Sequence, residues 1–236
     1  YGTCVIGNVS GTVIAFGPEQ VFNSSITSIG SVAFDPHTVN RLAVSYSNGS
    51  NSNLGEVRLG TVTGTSVSFG AASVFTTEAA YENQSFKFDP NNLNKLFLIY
   101  RGPASNSPAY QGTAVVGTIT GSSISFGTPA IFQANTVNFY AISMGVDVGT
   151  PNKFILFYGD TGNSNYGTIR VGTVSGTTIS FGSPVALTST SFYSDIAFNP
   201  HSAGQFVVSY FDNTNPNGAA FVGQMGSAIT STNLTA

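Results

Sequence analysis

This sequence predicts an all-β fold made of repeated four-stranded antiparallel units, and three observations carry that expectation. First, apolar and polar residues alternate. In Thr65–Phe75, Val67 and Phe69 fall on one face and Ser66 and Ser68 on the other, the period-two pattern of a half-buried strand. Second, one motif recurs as VIGNVSGTVIAFG from Val5, LGTVTGTSVSFG from Leu59, VGTITGSSISFG from Val116 and VGTVSGTTISFG from Val171. Its Phe falls at Phe16, Phe69, Phe126 and Phe181, with spacings of 53, 57 and 55 residues. Third, a second motif alternates with the first: AFDPHTVNRLAVSY from Ala33, KFDPNNLNKLFLIY from Lys87, GVDVGTPNKFILFY from Gly145 and AFNPHSAGQFVVSY from Ala197.

Each unit reads as four strands in a fixed order. The first is short, apolar and β-branched, as in Ser31–Phe34. It ends at Asp-Pro, where Pro lacks a donor and Asp bonds its own backbone two residues on. The second is the run Arg41–Tyr46, with Lys153–Tyr158 its counterpart in the third copy. A polar Asn/Gly loop leads to a third, alternating run from Gly55 to Val62, whose counterparts start at Gly112 and Gly167. Ser-Gly or Thr-Gly then supplies the positive φ of a primed hairpin turn, and the fourth strand returns along Thr65–Phe75. Four-stranded antiparallel units at this period predict a β-propeller of about four blades.

The strand order resembles that of WD40-like propeller repeats, whose inner strand ends in a Ser-Pro-Asp-Gly type turn. Here Phe34-Asp35-Pro36 and Phe198-Asn199-Pro200 hold that place. The Trp-Asp and Gly-His signatures are absent, since the chain has no Trp and neither His follows a Gly. The repeat is also similar to those of environmental bacterial and phage surface proteins.

On this reading residues 1–236 form one domain. It comprises an N-terminal half-blade over 1–22, blades near 27–76, 81–132 and 139–187, and a C-terminal half-blade with a tail over 193–236. The first half-blade holds third and fourth strands and the last holds first and second strands, so the two are expected to join in one composite blade. Gly218–Met225 then reads as a surplus third strand competing with Thr3–Val9 for one slot. Either the ring closes with one copy elsewhere, or the spare strand pairs with a neighbouring subunit.

Composition narrows the function. Hydrophobic residues are 41% but charged ones only 7%, against about 25% in an ordinary soluble domain. A net charge of −3 with seven scattered basic residues leaves no electrostatic footprint for nucleic acid. No apolar run approaches the about 18 residues of a membrane-spanning helix, so no membrane insertion is expected. Cys4, the lone cysteine, makes neither an internal disulfide nor a zinc site by itself. The chain opens at Tyr1 without Met or a signal-like segment, which reads as a removed leader or a piece of something longer. Low charge with abundant Ser, Thr and Asn is the composition of many extracellular, cell-surface and virion proteins. Sequons at Asn8, Asn23, Asn48, Asn83 and Asn233 are glycosylation candidates, in the number this composition produces by chance.

The turn acid recurs as Asp35, Asp89 and Asp147, with Asn199 in the fourth copy. A ring of carboxylates is one reading. An Asx-turn residue used once per blade accounts for all four, because Asn caps a turn but is no general acid. The loop after the second strand is oxygen-rich: Tyr46-x-Asn48-x-x-Asn51-x-Asn53-x-Gly55, Tyr158-x-Asp160-x-x-Asn163-x-Asn165-x-Gly167, and a shortened Tyr210-x-Asp212-x-x-Asn215-x-Asn217-Gly218. Calcium wants several carboxylates, so no metal is expected. The links between blades share this end and hold Tyr81, Phe139, Tyr140, Phe192 and Tyr193, to which the polar loops add Tyr110 and Tyr166. Ring faces flanked by amides suit a sugar, which makes Tyr81, Tyr140, Tyr193, Tyr166, Asp160, Asn163, Asn165 and Asp212 the candidate glycan site. The other reading is that these rings anchor the links onto the blades.

His37 and His201 occupy equivalent turns of different blades, too far apart for a metal pair or a triad. Glu19, Glu56, Glu78 and Glu82 are out of repeat register, and only Glu78 and Glu82, beside Tyr81, merit comparison with the paired acids of glycoside hydrolysis. No catalytic set and no cofactor follow. The expected function is a non-catalytic structural β-propeller, extracellular or on a virion surface, a fibre or appendage subunit. Its partners are copies of itself through edge strands, or neighbouring structural proteins. A lectin-like carbohydrate-binding module is the alternative, and a propeller glycosidase or lyase comes third.

Overall fold

The computed structural model describes residues 1–80, 84–102, 109–213, 217–226 and 230–234. Alternation produces strands along the whole chain. They are β1 (Gly2–Cys4), β2 (Gly7–Ser10), β3 (Val13–Phe16), β4 (Gln20–Asn23), β5 (Thr27–Phe34), β6 (Arg41–Asn48), β7 (Leu54–Thr63), β8 (Ser66–Ala79), β9 (Ser85–Phe88) and β10 (Lys95–Arg101). There follow β11 (Gln111–Thr120), β12 (Ser123–Phe126), β13 (Ala130–Val146), β14 (Lys153–Asp160), β15 (Tyr166–Ser175), β16 (Thr178–Phe181), β17 (Val185–Phe198), β18 (Gln205–Asp212), β19 (Asn217–Gln224) and β20 (Thr230–Leu234). The only helical segments among the described residues are two 3-10 turns, Gly49–Asn51 and Thr161–Asn163.

Antiparallel pairing sorts the strands into propeller blades. β1 pairs with β4 and β2 with β3, making an N-terminal half-blade, and β5 to β8 form the first full blade. The long strands β13 and β17 each serve two blades. β13 pairs with β11 through 130–136 and with β14 through 137–146; β17 pairs with β15 through 185–190 and with β18 through 191–198. The second blade is therefore β9 to β12 with the first part of β13. The third is the rest of β13 with β14 to β16 and the first part of β17. The fourth is the rest of β17 with β18 to β20.

Local chemistry sets the boundaries. Gly11, Gly64, Gly121 and Gly176 turn the outer hairpins with φ of 60°, 62°, 62° and 62°, a conformation costly for any residue with a Cβ. Pro18, Pro129 and Pro184 lack a donor, and beside each the fourth strand breaks into two. The first blade has Ala71 and Ala72 there, and β8 runs unbroken. Asn40, Asn94, Asn152 and Gly204 close the Asp-Pro turns in the left-handed region. Their carbonyls accept the amides of Val62, Ile119, Val174 and Met225 at 2.8, 2.8, 2.8 and 2.7 Å, tying each turn to the third strand of its blade.

Blades stack through one contact used repeatedly. A fourth-strand Phe lies over a third-strand Gly of its own sheet: Phe22 over Gly2, Phe75 over Gly55 and Phe132 over Gly112. A Cβ on those glycines would come within 2.4, 2.3 and 2.2 Å of the rings. The next blade meets that Phe with a Tyr and a second Phe. Ring centroids are 5.2 Å apart for Phe22–Tyr46, 5.3 Å for Phe75–Tyr100 and 5.2 Å for Phe132–Tyr158. Phe22–Phe69, Phe75–Phe126 and Phe132–Phe181 follow at 5.8, 5.8 and 6.1 Å, tilted edge to face. At the last interface Leu187 stands in the Phe position. Phe157, from the second strand, fills the space over Gly167 instead and stacks on Tyr210 at 5.8 Å. Four buried apolar clusters result, one at each interface.

The composite blade does not form. β19 pairs with β18 over eight positions, from Gln205↔Gln224 to Asp212↔Asn217, and with β20 on its far side. The slot assigned to Thr3–Val9 is thus filled by the C-terminal segment, where Phe206 of β18 lies over Gly223 as Phe154 lies over Gly172 one blade earlier. The N-terminal strands sit at the other end of the stack, where Cys4, Ile6 and Phe22 pack with Leu42, Val44, Tyr46, Val62 and Val67. The sheets do not close into a ring: among the described residues no strand of the half-blade pairs with the fourth blade.

Phe132 touches both blades at a fully buried interface. Phe132→Ala is expected to lower stability by about 3–5 kcal/mol, read as a lower urea midpoint. A loss under about 1 kcal/mol, the size of an ordinary substitution, would show that this contact does not hold the blades together.

Candidate binding face

One end of the stack gathers the polar loops and the entries of the inner strands. Asn48 and Asp160 cap the two 3-10 turns, their side-chain oxygens accepting the amides of Ser50 and Gly162 at 3.1 and 2.9 Å. Ser52, Asn53, Ser164 and Asn165 follow in the left-handed region. The oxygen-rich spacing therefore encodes backbone geometry, with Asn favoured where φ is positive. No three His, Cys, Asp or Glu side chains among the described residues lie together in a way that would hold a metal ion.

Of the candidate glycan residues, the structure brings two rings together. Tyr140 and Tyr193 lie where β13 and β17 bulge on entering the inner positions, with centroids 5.3 Å apart and planes at 45°. They are 50% and 67% exposed, and Tyr193 has φ of +47°. Asn138 holds the neighbourhood: its oxygen accepts the Tyr140 amide at 2.9 Å and its nitrogen donates to Asn165 at 3.0 Å. Ser143 and Ser194 share a 2.9 Å hydrogen bond that joins the two inner strands. Asp160 and Asn163 belong to the adjacent 3-10 turn. Tyr166 takes a half-buried place in the ladder opposite Asp160 and Thr190, and Asp212 ends β18 opposite Asn217. Tyr81 lies outside the described residues, as does Glu82, while Glu78 is exposed on β8. Tyr110 carries the Arg101 guanidinium over its ring at 4.0 Å.

At the opposite end, the turn acids are engaged by backbone. Asp35 accepts the amides of His37 and Thr38 and pairs with Arg41 at 2.5 Å. Asp89 accepts those of Asn91 and Asn92. Asp147 accepts Gly149 and, from the next blade, Gly204. Asn199 accepts His201 in the same way. These turns also link blades: His37 Nε2 lies 3.0 Å from the Asp89 carbonyl, and Asn91 Nδ2 donates to the Asp147 carbonyl at 2.8 Å.

Two sequon assignments need correction. Asn23 and Asn48 are buried, and their amide nitrogens are spent inside: Asn23 donates to Thr27 and Asn48, and Asn48 donates to both Glu56 oxygens at 3.1 Å. A glycan on either has no room. Asn8 is exposed on β2, Asn83 lies outside the described residues, and the Asn233 side chain does too.

Glu56, passed over in the sequence, is the centre of this network. Buried, it accepts from Asn48 and from Asn51 at 2.9 Å, and Tyr46 bonds both Glu56 and the Arg58 Nε, the latter at 2.8 Å. The available signal was that Thr113 and Thr168 stand at its place in the later copies. With its oxygens occupied by amides, Glu56 joins loop to strand.

No protein-family description matches the chain, and no curated protein matches it. Among solved structures it is similar to the subtype N11 neuraminidase-like protein of A/flat-faced bat/Peru/033/2010 (H18N11). Identity is 9% and the TM-score 0.48, over 97% of this chain and 68% of that one. At that level the likeness says nothing of activity, and the blade architecture stands on its own strand pairing.

Burial pushes the hydroxyls of Tyr46, Tyr100 and Tyr158 up to about 12; at Tyr46 the bond to Glu56 adds to the rise and Arg58 opposes it. The folded value exceeds the unfolded one of about 10, so stability is whole below about pH 10 and is lost as pH rises toward about 12. Tyrosinate absorbance is expected to show three of the ten tyrosines ionising late, together with unfolding. All ten ionising together near pH 10 with the fold intact would contradict this.

Proposed function

We propose that the chain is a non-catalytic structural β-propeller arc that assembles on an extracellular or virion surface, as a subunit of a fibre or appendage. One observation carries the reading. The half-blade turns outward Val9, Ile14 and Phe16, which are 67%, 55% and 69% exposed. Their counterparts in the later copies, such as Val62, Val67, Ile119 and Ile124, are buried against a preceding blade. Leaving three such side chains in water forgoes roughly 1.5–3 kcal/mol each, and another blade-like surface stacked on them would recover it. The turn acids, occupied by backbone amides, support a scaffold rather than a reaction. Low charge and abundant Ser, Thr and Asn support a surface location.

Sedimentation and electron microscopy are expected to show concentration-dependent association. The double variant Ile14→Ser, Phe16→Ser should weaken it with an unchanged far-ultraviolet spectrum. A chain that stays monomeric at high concentration would end this reading.

A second reading, a lectin-like module, is favoured by the exposed Tyr140–Tyr193 pair, with Asn138 and Asn165 beside it. Two phenol faces and nearby amides suit the C–H patches and hydroxyls of a sugar. Glycan-array binding that disappears in Tyr140→Ala and Tyr193→Ala is the expected result. Binding that survives both substitutions, or no binding even at high sugar concentration, removes the module.

A further inference from the structure

We infer that Tyr140 and Tyr193 form a site of oxidative cross-linking, where a peroxide-driven one-electron oxidant joins the two rings as a dityrosine and staples the third blade to the fourth. The inference needs neither the assembly nor the sugar of the readings above, because both partners lie within one chain.

The first observation is a contact between two oxidisable rings. The bulges in β13 and β17 bring Tyr140 and Tyr193 to centroids 5.3 Å apart with planes at 45°. Asn138 fixes one side of the pair by accepting the Tyr140 amide at 2.9 Å. Other tyrosine rings have different neighbours. Tyr46, Tyr100, Tyr158 and Tyr210 lie against phenylalanines, which have no phenolic hydrogen to surrender, and Tyr110 lies under the Arg101 guanidinium.

The second observation is access. Tyr140 and Tyr193 are both exposed, whereas Tyr46, Tyr100 and Tyr158 are buried, and burial pushes those three phenols up to about 12, which keeps them protonated and harder to oxidise. The third blade has a described blade on each side. Tyr140 is therefore open within the stack and not through an end of the chain.

The third observation is position. Tyr140 belongs to the third blade and Tyr193 to the fourth. Theirs is the interface where Leu187 stands in place of the fourth-strand Phe used at the other three. The Ser143–Ser194 hydrogen bond and the one from the Gly204 amide to Asp147 cross the same interface. A carbon–carbon bond between the rings joins the two inner strands there. It also restrains the unfolded chain between Tyr140 and Tyr193, as a disulfide restrains its loop.

The chemistry balances with hydrogen peroxide as the terminal oxidant. Each phenol gives up one electron and one proton, leaving a phenoxyl radical whose unpaired spin is shared with the ring carbons beside the hydroxyl. Two such carbons, one from each ring, form the new bond. Each then loses its hydrogen as a proton while the ring oxygen gains one, which restores both phenols. The pair loses two hydrogen atoms in all, and one peroxide becomes two waters. Exposed side chains change rotamer within nanoseconds, so the two rings meet long before a radical in dilute solution reaches another molecule.

The test treats the full chain, at submicromolar concentration, with hydrogen peroxide and a haem peroxidase. Blue dityrosine fluorescence is expected in the monomer, with a mass lower by two hydrogens. Proteolysis should yield a joined peptide pair containing Tyr140 and Tyr193. Tyr140→Phe and Tyr193→Phe should each lower the monomer's fluorescence at least tenfold while leaving the far-ultraviolet spectrum unchanged. The cross-linked chain should unfold at a higher urea concentration than the untreated chain, and the treated Phe variants should not. Fluorescence that survives either Phe variant, cross-links confined to other tyrosines, or cross-links only between chains would overturn the pairing. An unchanged urea midpoint in the cross-linked monomer would overturn the staple.

Discussion

The structure depends on a phenylalanine ring held between a glycine of its own sheet and a tyrosine of the next. A full side chain at Gly2, Gly55 or Gly112 would displace Phe22, Phe75 or Phe132, and without those rings Tyr46, Tyr100 and Tyr158 would face a void. The contact explains why so few charged residues suffice. The second and third blades are covered on both faces by their neighbours, so their second strands Lys95–Arg101 and Lys153–Asp160 are buried apolar runs with charge only at the ends. It also explains the exception at the last interface. Where Leu187 is too small to reach across, Phe157 grows into the same space from a different strand, so volume is conserved though its source is not.

Polar residues at the two blade ends serve different purposes. At the turn end, the Asx geometry of Asp35, Asp89, Asp147 and Asn199 is intramolecular, yet the same turns reach forward to the next blade through His37 and Asn91. That end acts as a hydrogen-bonded rim. At the loop end, the two 3-10 turns engage a side-chain oxygen each of Asn48 and Asp160, and the exposed rings beside them are Tyr140 and Tyr193. Tyr193 holds a positive φ with a bulky ring exposed, a conformation that packing alone does not call for.

Much of this was legible in the sequence. Strand order, hairpin glycines and the Asx role of the turn acids follow from period-two alternation, from φ > 0 at Gly64 and its counterparts, and from the appearance of Asn199 where the others have Asp. These are local rules repeated in the same register. The pairing at the fourth blade was not legible, because β19 and the N-terminal strand carry the same repeat, with Gly223 and Gly7 in one position, and periodicity does not rank them. Nor were Asn23, Asn48 and Glu56. Each looks like a surface polar residue in one dimension, and only the stacking of the half-blade on the first blade buries all three together. The Tyr140–Tyr193 contact needed the bulges in β13 and β17, which leave no mark in composition.

A stack in which every interface repeats the last has nearest-neighbour energetics, and its termini resemble its interior with one neighbour removed. Here the two termini differ in kind. The fourth blade presents a face, with a shallow cavity of about 210 Å³ lined by Ala197, Val207 and Val222 among others. The half-blade presents, among the described residues, both a face and an edge without a strand partner. Apolar faces attract with little selectivity, whereas an edge imposes register, because sliding a strand by one residue inverts every side chain.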